Sequence, residues 1–149
     1  MNPRLGDGSS EPVDRHGLEV LDPAECRRLI VEEHLGRIGF SSDALPVIFP
    51  VNYVSDGELI HFRSEAGQKL KAASSRSVAC LEIDHFDRFG HTGWSVLATG
   101  RLDVVEDDED HGRRLPVTPW ALGDANQLIV LSIELLSGRR IRHHVRTVS

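Results

Sequence analysis

The sequence contains little cysteine, little lysine and no long hydrophobic run. Its two cysteines, Cys26 and Cys80, lie far apart, so we expect two buried thiols rather than a disulfide framework. No apolar stretch approaches the roughly 20 residues that cross a membrane as a helix. The N-terminus lacks the apolar segment of a secretory signal. A cytoplasmic location is therefore expected.

The charge balance also excludes one class of partner. The formal net charge is −6 at pH 7 and no basic patch dominates, which argues against a dedicated nucleic-acid binder. With 149 residues, 40% of them hydrophobic, the chain has enough apolar material for one globular domain. Composition divides it into a disordered tail over residues 1–17, a domain over 18–142 and a short tail over 143–149.

The most informative stretch runs from Val47 to Lys71. Residues 47–54 and 59–63 have strand composition, and the Asp56-Gly57 pair between them is typical of a tight β-hairpin turn. Residues 66–74 then have helix-forming composition, with Ser64 as the small polar residue through which this helix would begin.

Three side chains near this strand-to-helix junction could bind an anion. A helix N-terminus attracts phosphate, Arg63 would add a two-pronged donor and Ser64 a hydroxyl. Lys69 could reach the same anion. The alternative interpretation makes Arg63 a surface strand residue, Ser64 a helix cap and Lys69 a solvated charge.

The remaining elements favour an antiparallel β-barrel. A helix is expected from Pro23, capped by Asp22 and ended by Gly36. A polar loop is expected over residues 85–93, a bulge at Gly100, a short helix over 106–114 and a basic tail over 137–146. About six strands joined by tight turns predict a mainly β fold, a six-stranded antiparallel split barrel with flanking helices. The predicted strands cover residues 37–41, 47–54, 59–63, 77–84, 94–105 and 127–134.

No catalytic or metal site can be named from the residues. His85 and His91, with Asp84 and Asp87, match no closed zinc spacing, and no Ser-His-Asp arrangement involving Ser95 can be defended. The histidines and arginines near the C-terminus are expected to form a solvated face. Trp120, which follows two prolines, is expected in the core or at an interface.

Four segments together resemble the pyridoxamine 5′-phosphate oxidase-like, FMN-binding split-barrel family. The resemblance extends over about residues 21–142, and its specificity comes from the order and spacing of the segments. They are the opening helix with GRIGF (36–40), PVIFPVNY (46–53), IHFRS (60–64) with Gly67 and Lys69, and GWSV (93–96) with Gly100-Arg101.

The resemblance implies a homodimer of split barrels with two FMN sites at the subunit interface. Arg63, Ser64 and Lys69 would bind the FMN phosphate by this carry-over. The strand residues Pro50, Val51 and Asn52 would lie along the flavin ring, partly through backbone groups. From the partner subunit, Trp94 and Ser95 would approach the flavin.

The implied activity is a flavin-dependent oxidoreductase acting on a small organic substrate. Family members that use a deazaflavin, and related barrels that bind haem, keep those cofactors open as alternatives. Two other functions remain open: a protein that binds such a cofactor for storage or sensing without turnover, and a structural dimer that has lost its cofactor. The substrate and electron donor are not specified by the sequence.

Overall fold

The computed structural model describes residues 12–106 and 127–142. Nine elements follow one another in these two ranges. They are β1 (Glu19–Val20), α1 (Pro23–Glu32), β2 (Leu35–Ser42), β3 (Leu45–Ser55), β4 (Leu59–Ser64), α2 (Gln68–Ser74), β5 (Val78–Asp87), β6 (Thr92–Val105) and β7 (Gln127–Ile141).

The strands form one antiparallel sheet that closes on itself. Its order is β1-β7-β4-β3-β2-β5-β6, and β6 pairs in addition with β7. This closure makes the barrel, so the predicted antiparallel split barrel with flanking helices is confirmed. The two-residue strand β1, which pairs with β7, was not expected.

Alternating burial along each strand fills the interior. On β4, Ile60 and Phe62 are fully buried, whereas His61 between them is half-buried and points to the opposite face, as the alternation predicts. Helix α1 begins as expected, because the Asp22 carboxylate accepts a hydrogen bond from the Glu25 N–H at 2.8 Å. Its apolar face, formed by Cys26, Leu29 and Ile30, packs into the core.

Both helices are shorter than predicted. Helix α1 ends at Glu32, and Gly36 lies inside β2, where a Cβ atom would come within 3.0 Å of the Glu82 carbonyl oxygen. Gly36 therefore permits close strand packing and does not end the helix. Helix α2 begins at Gln68 with Gly67 as its N-cap, so the prediction that it is entered through Ser64 is wrong.

Two segments predicted as irregular are strands. The expected polar loop over 85–93 is a narrow turn, since β5 continues to Asp87 and β6 begins at Thr92. The basic segment from Ser137 continues β7 as far as Ile141, because its backbone pairs with β6. The bulge predicted at Gly100 is confirmed by a register shift between Thr99 and Gly100.

Some predictions lie partly or wholly outside the described residues. These are most of the helix over 106–114, the loop with Trp120, the tail over 143–149 and most of the tail over 1–17. Within the latter, Val13 forms a bridge with Glu19, and Asp14 forms an ion pair with Arg139. The helices of the described ranges are too short or too polar to cross a membrane.

Candidate functional site

The barrel is split along one side of strand β3. Residues 45–52 of β3 pair with β2, but only residues 53–55 pair with β4. Within the described ranges, no strand pairs with the β4-facing edge of residues 45–52. An interrupted ladder of this kind leaves a stretch of backbone beside which a ligand can lie.

Pro46 and Pro50 fit this open edge. The Tyr53 N–H donates to the His34 carbonyl oxygen on the β2 side at 2.9 Å. Since the backbone groups of an antiparallel strand point alternately to its two neighbours, the even-numbered positions of β3 point to the β4 side. At these positions the backbone N–H has no partner strand to bind. Proline, which lacks an N–H, can therefore occupy positions 46 and 50 without loss of pairing between β3 and β2.

The predicted ring-binding residues lie along this edge. Pro50 is exposed and Asn52 is half-buried with a buried Nδ2 atom, and both belong to the outer face of the barrel. Val51, which is 7% exposed, faces the core. A ligand lying on the outer face would therefore meet the side chains of Pro50 and Asn52.

Arg63 and Ser64 end strand β4 but point to opposite faces. Arg63 is half-buried on the outer face, whereas Ser64 is 4% exposed and its hydroxyl donates to the Glu65 carbonyl oxygen at 3.0 Å. Ser64 must change its hydrogen bond to donate to a ligand. The three residues between β4 and α2 are exposed, and a Cβ atom on Gly67 would have no neighbour within 4 Å, so there is space beside this connection.

Lys69 lies close to strand β3. Its Nζ atom is 4.5 Å from the centroid of the Phe49 ring, three residues before Asn52. Lys71, two residues later, is placed differently, with its Nζ atom 3.3 Å from Asp43 Oδ1 in an exposed ion pair. The connection from β4 to α2 thus brings Lys69 back to the strand that carries Pro50, Val51 and Asn52, on the core-facing side that Phe49 shares with Val51.

Trp94 and Ser95 lie on a different part of the barrel. Both are half-buried near the start of β6, where Trp94 pairs with His85 on β5 and Arg140 on β7. The Trp94 and His85 rings stack with centroids 6.4 Å apart. These two residues are separated in the sheet from Arg63 and Lys69, so a single chain does not bring all eight predicted residues together.

An apolar groove on the outer face was missed by the sequence analysis. It encloses about 670 Å³ across strands β2, β3, β5 and β6. A signal for it existed, because Ile48 and Leu97 occupy outward positions of their strands, where polar residues are usual. The residues lining it are Arg37, Gly39, Phe40, Ser41, Pro46, Val47, Ile48, Val78, Ala79, Cys80, Glu82, Leu97 and Thr99.

A small charge cluster lies at the rim of this groove. The Arg37 guanidinium is 3.1 Å from Glu82 Oε2 and 3.5 Å from Asp84 Oδ2, and Arg37 lies directly opposite Pro50 in the ladder. Burial and the adjacent Asp84 raise the pKa of Glu82, although Arg37 acts in the opposite direction. The cluster joins the charged groups of β5 to the open edge of β3.

The residues present suit a phosphate-bearing flavin in their chemistry. Arginine, lysine and hydroxyl groups are the donors that bind phosphate, and an apolar surface beside an open backbone edge suits a flat ring with polar margins. The described residues hold no group of three or more His, Cys, Asp or Glu side chains suited to a metal ion. The two cysteines are not disulfide-bonded; Cys26 is buried and Cys80 is half-buried at the groove.

Comparisons with known proteins agree with this architecture. An uncharacterised protein of Mycobacterium tuberculosis, Rv0080, is 33% identical over 95% of this chain and 97% of its own length. The structure of a FAD-binding protein from Mycobacterium smegmatis matches with a TM-score of 0.64 and 28% identity, over 84% of this chain and 99% of that one.

A FAD-binding protein from Mesorhizobium loti shares the fold with a TM-score of 0.68 at 19% identity, over 83% of this chain and 98% of that one. The sequence pattern of the pyridoxamine 5′-phosphate oxidase family matches residues 22–140. This match covers most of the chain and coincides with the closed barrel. The chain therefore belongs to the pyridoxamine 5′-phosphate oxidase family.

Proposed function

We propose that this protein is a flavin-dependent oxidoreductase that binds FMN beside the open edge of β3 and acts on a small organic substrate. The observation that carries the proposal is the split between β3 and β4, with Arg63 and Lys69 beside it. A flavin would supply the hydride or electron transfer, and the protein would supply binding, orientation and polarity.

Three side chains would bind the phosphate. Arg63 offers a planar guanidinium on the outer face, and Lys69 offers an ammonium group over Phe49 on the core-facing side of β3. The two would therefore reach the phosphate from opposite sides of the open edge. Ser64 would contribute its hydroxyl after giving up its hydrogen bond to the Glu65 carbonyl oxygen. Charge-assisted hydrogen bonds of this type contribute roughly 1.5–3 kcal/mol each, enough to favour a phosphorylated flavin over riboflavin.

The flavin ring would lie along Pro50, Val51 and Asn52. Val51 faces the core, so its part would be played by the backbone, and Asn52 would meet the polar margin of the ring. The apolar groove beside these residues would keep water away from the reacting face. No general acid or base is assigned, since the flavin carries the redox chemistry.

The proposal includes a homodimer. The outer face exposes large apolar side chains, with Ile48 71%, Leu135 69% and Val78 53% exposed, and such patches commonly form interfaces. In a dimer made through this face, Trp94 and Ser95 of one subunit would approach the flavin of the other. A cytoplasmic location is part of the proposal, and two unpaired cysteines suit it.

The test is an absorption titration of the purified protein with FMN, riboflavin and FAD in parallel. We expect FMN bands to shift on binding and riboflavin to bind much more weakly. FAD is included because the Mycobacterium smegmatis relative binds it. Binding of a deazaflavin or haem instead of FMN would be compatible with the fold but would contradict FMN as the cofactor. Binding of none of these compounds would overturn the proposed function.

Turnover and assembly need separate measurements. Oxidation of a reduced nicotinamide by the flavin-loaded protein would distinguish an oxidoreductase from a protein that only stores or senses flavin. Sedimentation velocity at micromolar concentration tests the dimer. A monomer that still binds FMN tightly would contradict the interface site and leave the phosphate contacts standing.

A further inference from the structure

The two lysines of this chain are placed in different electrostatic surroundings. Lys71 is 3.3 Å from the Asp43 carboxylate, which neutralises its charge locally. Lys69 instead lies 4.5 Å above the ring centroid of Phe49. Within residues 12–106 and 127–142, Lys69 forms no ion pair with a carboxylate. Its positive charge is therefore available to an external anion.

An aromatic ring orients an ammonium group without neutralising it. The ring face attracts the cation through its quadrupole and carries no formal charge. An ammonium group has three N–H donors. A ring on one side leaves donors on the other side for an anion, whereas a carboxylate partner would compete with that anion. Phe49 can thus restrict the flexible Lys69 side chain without neutralising its positive charge.

The ring itself is held firmly. Phe49 lies on β3 opposite Ile38 and packs against Phe40, with ring centroids 6.0 Å apart. Phe40 is 7% exposed and belongs to the core. The position of the Lys69 ammonium group is therefore linked to the barrel through two packed rings, although α2 itself is only seven residues long.

We propose that Phe49 is a positioning residue that holds Lys69 over β3 for the phosphate of the flavin. This rests on the proposed function. Phe49 would act without touching the phosphate itself. This role differs from that of an ordinary core aromatic residue. An ordinary core role would affect all flavins alike, while a positioning role affects only those with a phosphate.

The experiment measures the dissociation constants of FMN and riboflavin for each variant, and the ratio of the riboflavin constant to the FMN constant reports the phosphate contribution. Lys69→Met should lower the ratio about 10-fold or more, since it removes a charge-assisted contact. Phe49→Leu should lower it about 2- to 5-fold, the effect of an exposed cation–π contact. Phe49→Tyr, which keeps an aromatic ring, should keep the wild-type ratio, and Lys71→Met should also leave the ratio unchanged.

A double variant shows whether Phe49 acts through Lys69. Phe49→Leu combined with Lys69→Met should lower the ratio no further than Lys69→Met alone. A wild-type ratio in Phe49→Leu, or equal weakening of FMN and riboflavin, would overturn the positioning role while leaving the phosphate assignment intact. An unchanged ratio in Lys69→Met would instead overturn the phosphate assignment for Lys69, and the positioning role with it.

A second measurement does not depend on the folding of Phe49→Leu. In wild-type protein labelled with ¹³C-lysine, Lys69 and Lys71 are the only lysines to give ε-methylene signals. The Lys69 signal should be shifted upfield by the Phe49 ring, and it should move when FMN is added but not with riboflavin. Two signals at ordinary positions would overturn the contact between Lys69 and Phe49.

Discussion

The two sides of this barrel are built differently. On the closed side, β6 and β7 pair continuously from Gly93–Ile141 to Val105–Leu128, with one bulge. On the split side, β3 and β4 share only the pairs from Tyr53–Phe62 to Ser55–Ile60. The long β6–β7 ladder therefore stabilises the fold, whereas the short β3–β4 ladder leaves the edge of β3 open beside the candidate site.

Ion pairs occur on both sides, since near the split Lys71 pairs with Asp43 and Arg37 with Glu82, but one lysine of the split side differs. On the closed side, arginines of β7 are matched with carboxylates: Arg139 with Asp14, Arg140 with Glu19 and Glu25, and Arg142 with Glu19. On the split side, Lys69 rests on an aromatic ring. Matched charges hold elements together, whereas a cation without a carboxylate partner can serve a ligand.

The largest expected effect comes from breaking the closed side at Gly100. A Cβ atom at this position would lie 1.6 Å from the Ser132 carbonyl oxygen, which is impossible unless the backbone moves. Gly100→Ala should destabilise the protein by at least about 3 kcal/mol, as overpacking against a rigid backbone does. Thermal and urea unfolding followed by circular dichroism would measure this.

The matched control for this change is the preceding residue. Thr99 is half-buried on the outer face, and Thr99→Ala should alter stability by no more than about 1 kcal/mol. Equal stability of Gly100→Ala and wild type would mean that β6 and β7 do not approach as closely as the bulge requires.

The next effect separates binding from stability on the split side. Arg63→Met with Lys69→Met should weaken FMN binding by about 3 kcal/mol or more, since two charge-assisted contacts are removed. Riboflavin binding and the unfolding midpoint should change little, because the ladders and the core are retained. Fluorescence quenching of each flavin, with unfolding curves in parallel, makes the measurement. Wild-type FMN affinity in the double variant would mean that neither Arg63 nor Lys69 binds the phosphate.

Local patterns predicted much of this architecture. The Asp56-Gly57 turn follows from backbone chemistry, and Asp56 Oδ1 indeed accepts the N–H groups of Glu58 and Leu59. Asp22 and Pro23 likewise predicted the start of α1. In each case the residues that determine the structure are neighbours in sequence.

Features that depend on distant residues were not predictable. Gly36 resembles a helix stop locally, and its role depends on the Glu82 carbonyl oxygen of another strand. The contact between Lys69 and Phe49 joins a helix to an earlier strand. The pairing of β6 with β7, which closes the barrel, is likewise decided by tertiary packing. The spacing of Pro46 and Pro50 was an available signal for the open edge, because residues four apart in a strand point to the same neighbour.

A smaller effect is expected where the two sides meet. Tyr53 begins the short β3–β4 ladder, and its buried hydroxyl donates to the Ile30 carbonyl oxygen of α1 at 2.9 Å. Burial raises the pKa of this hydroxyl, so it remains protonated. Tyr53→Phe should cost about 1 kcal/mol of stability through the lost hydrogen bond. Urea unfolding gives the cost, and FMN affinity should stay within twofold; a large loss of affinity would mean that α1 also supports the site.

The smallest expected effect is a pH dependence on the closed side. Arg28 and Arg140, 2.7 and 2.8 Å from Glu25 Oε1, lower the pKa of Glu25 from 4.5 to about 2. A lowered pKa stabilises the fold when the carboxylate is ionised, so this contribution is present above about pH 4.5 and is lost as pH falls towards 2. Because the group is near solvent, Glu25→Gln should cost only about 0.5 kcal/mol at pH 7. Urea unfolding of both proteins from pH 7 to 2.5 measures the difference, which should shrink as pH falls; a constant difference would mean that Glu25 stabilises α1 through packing and not through its charge.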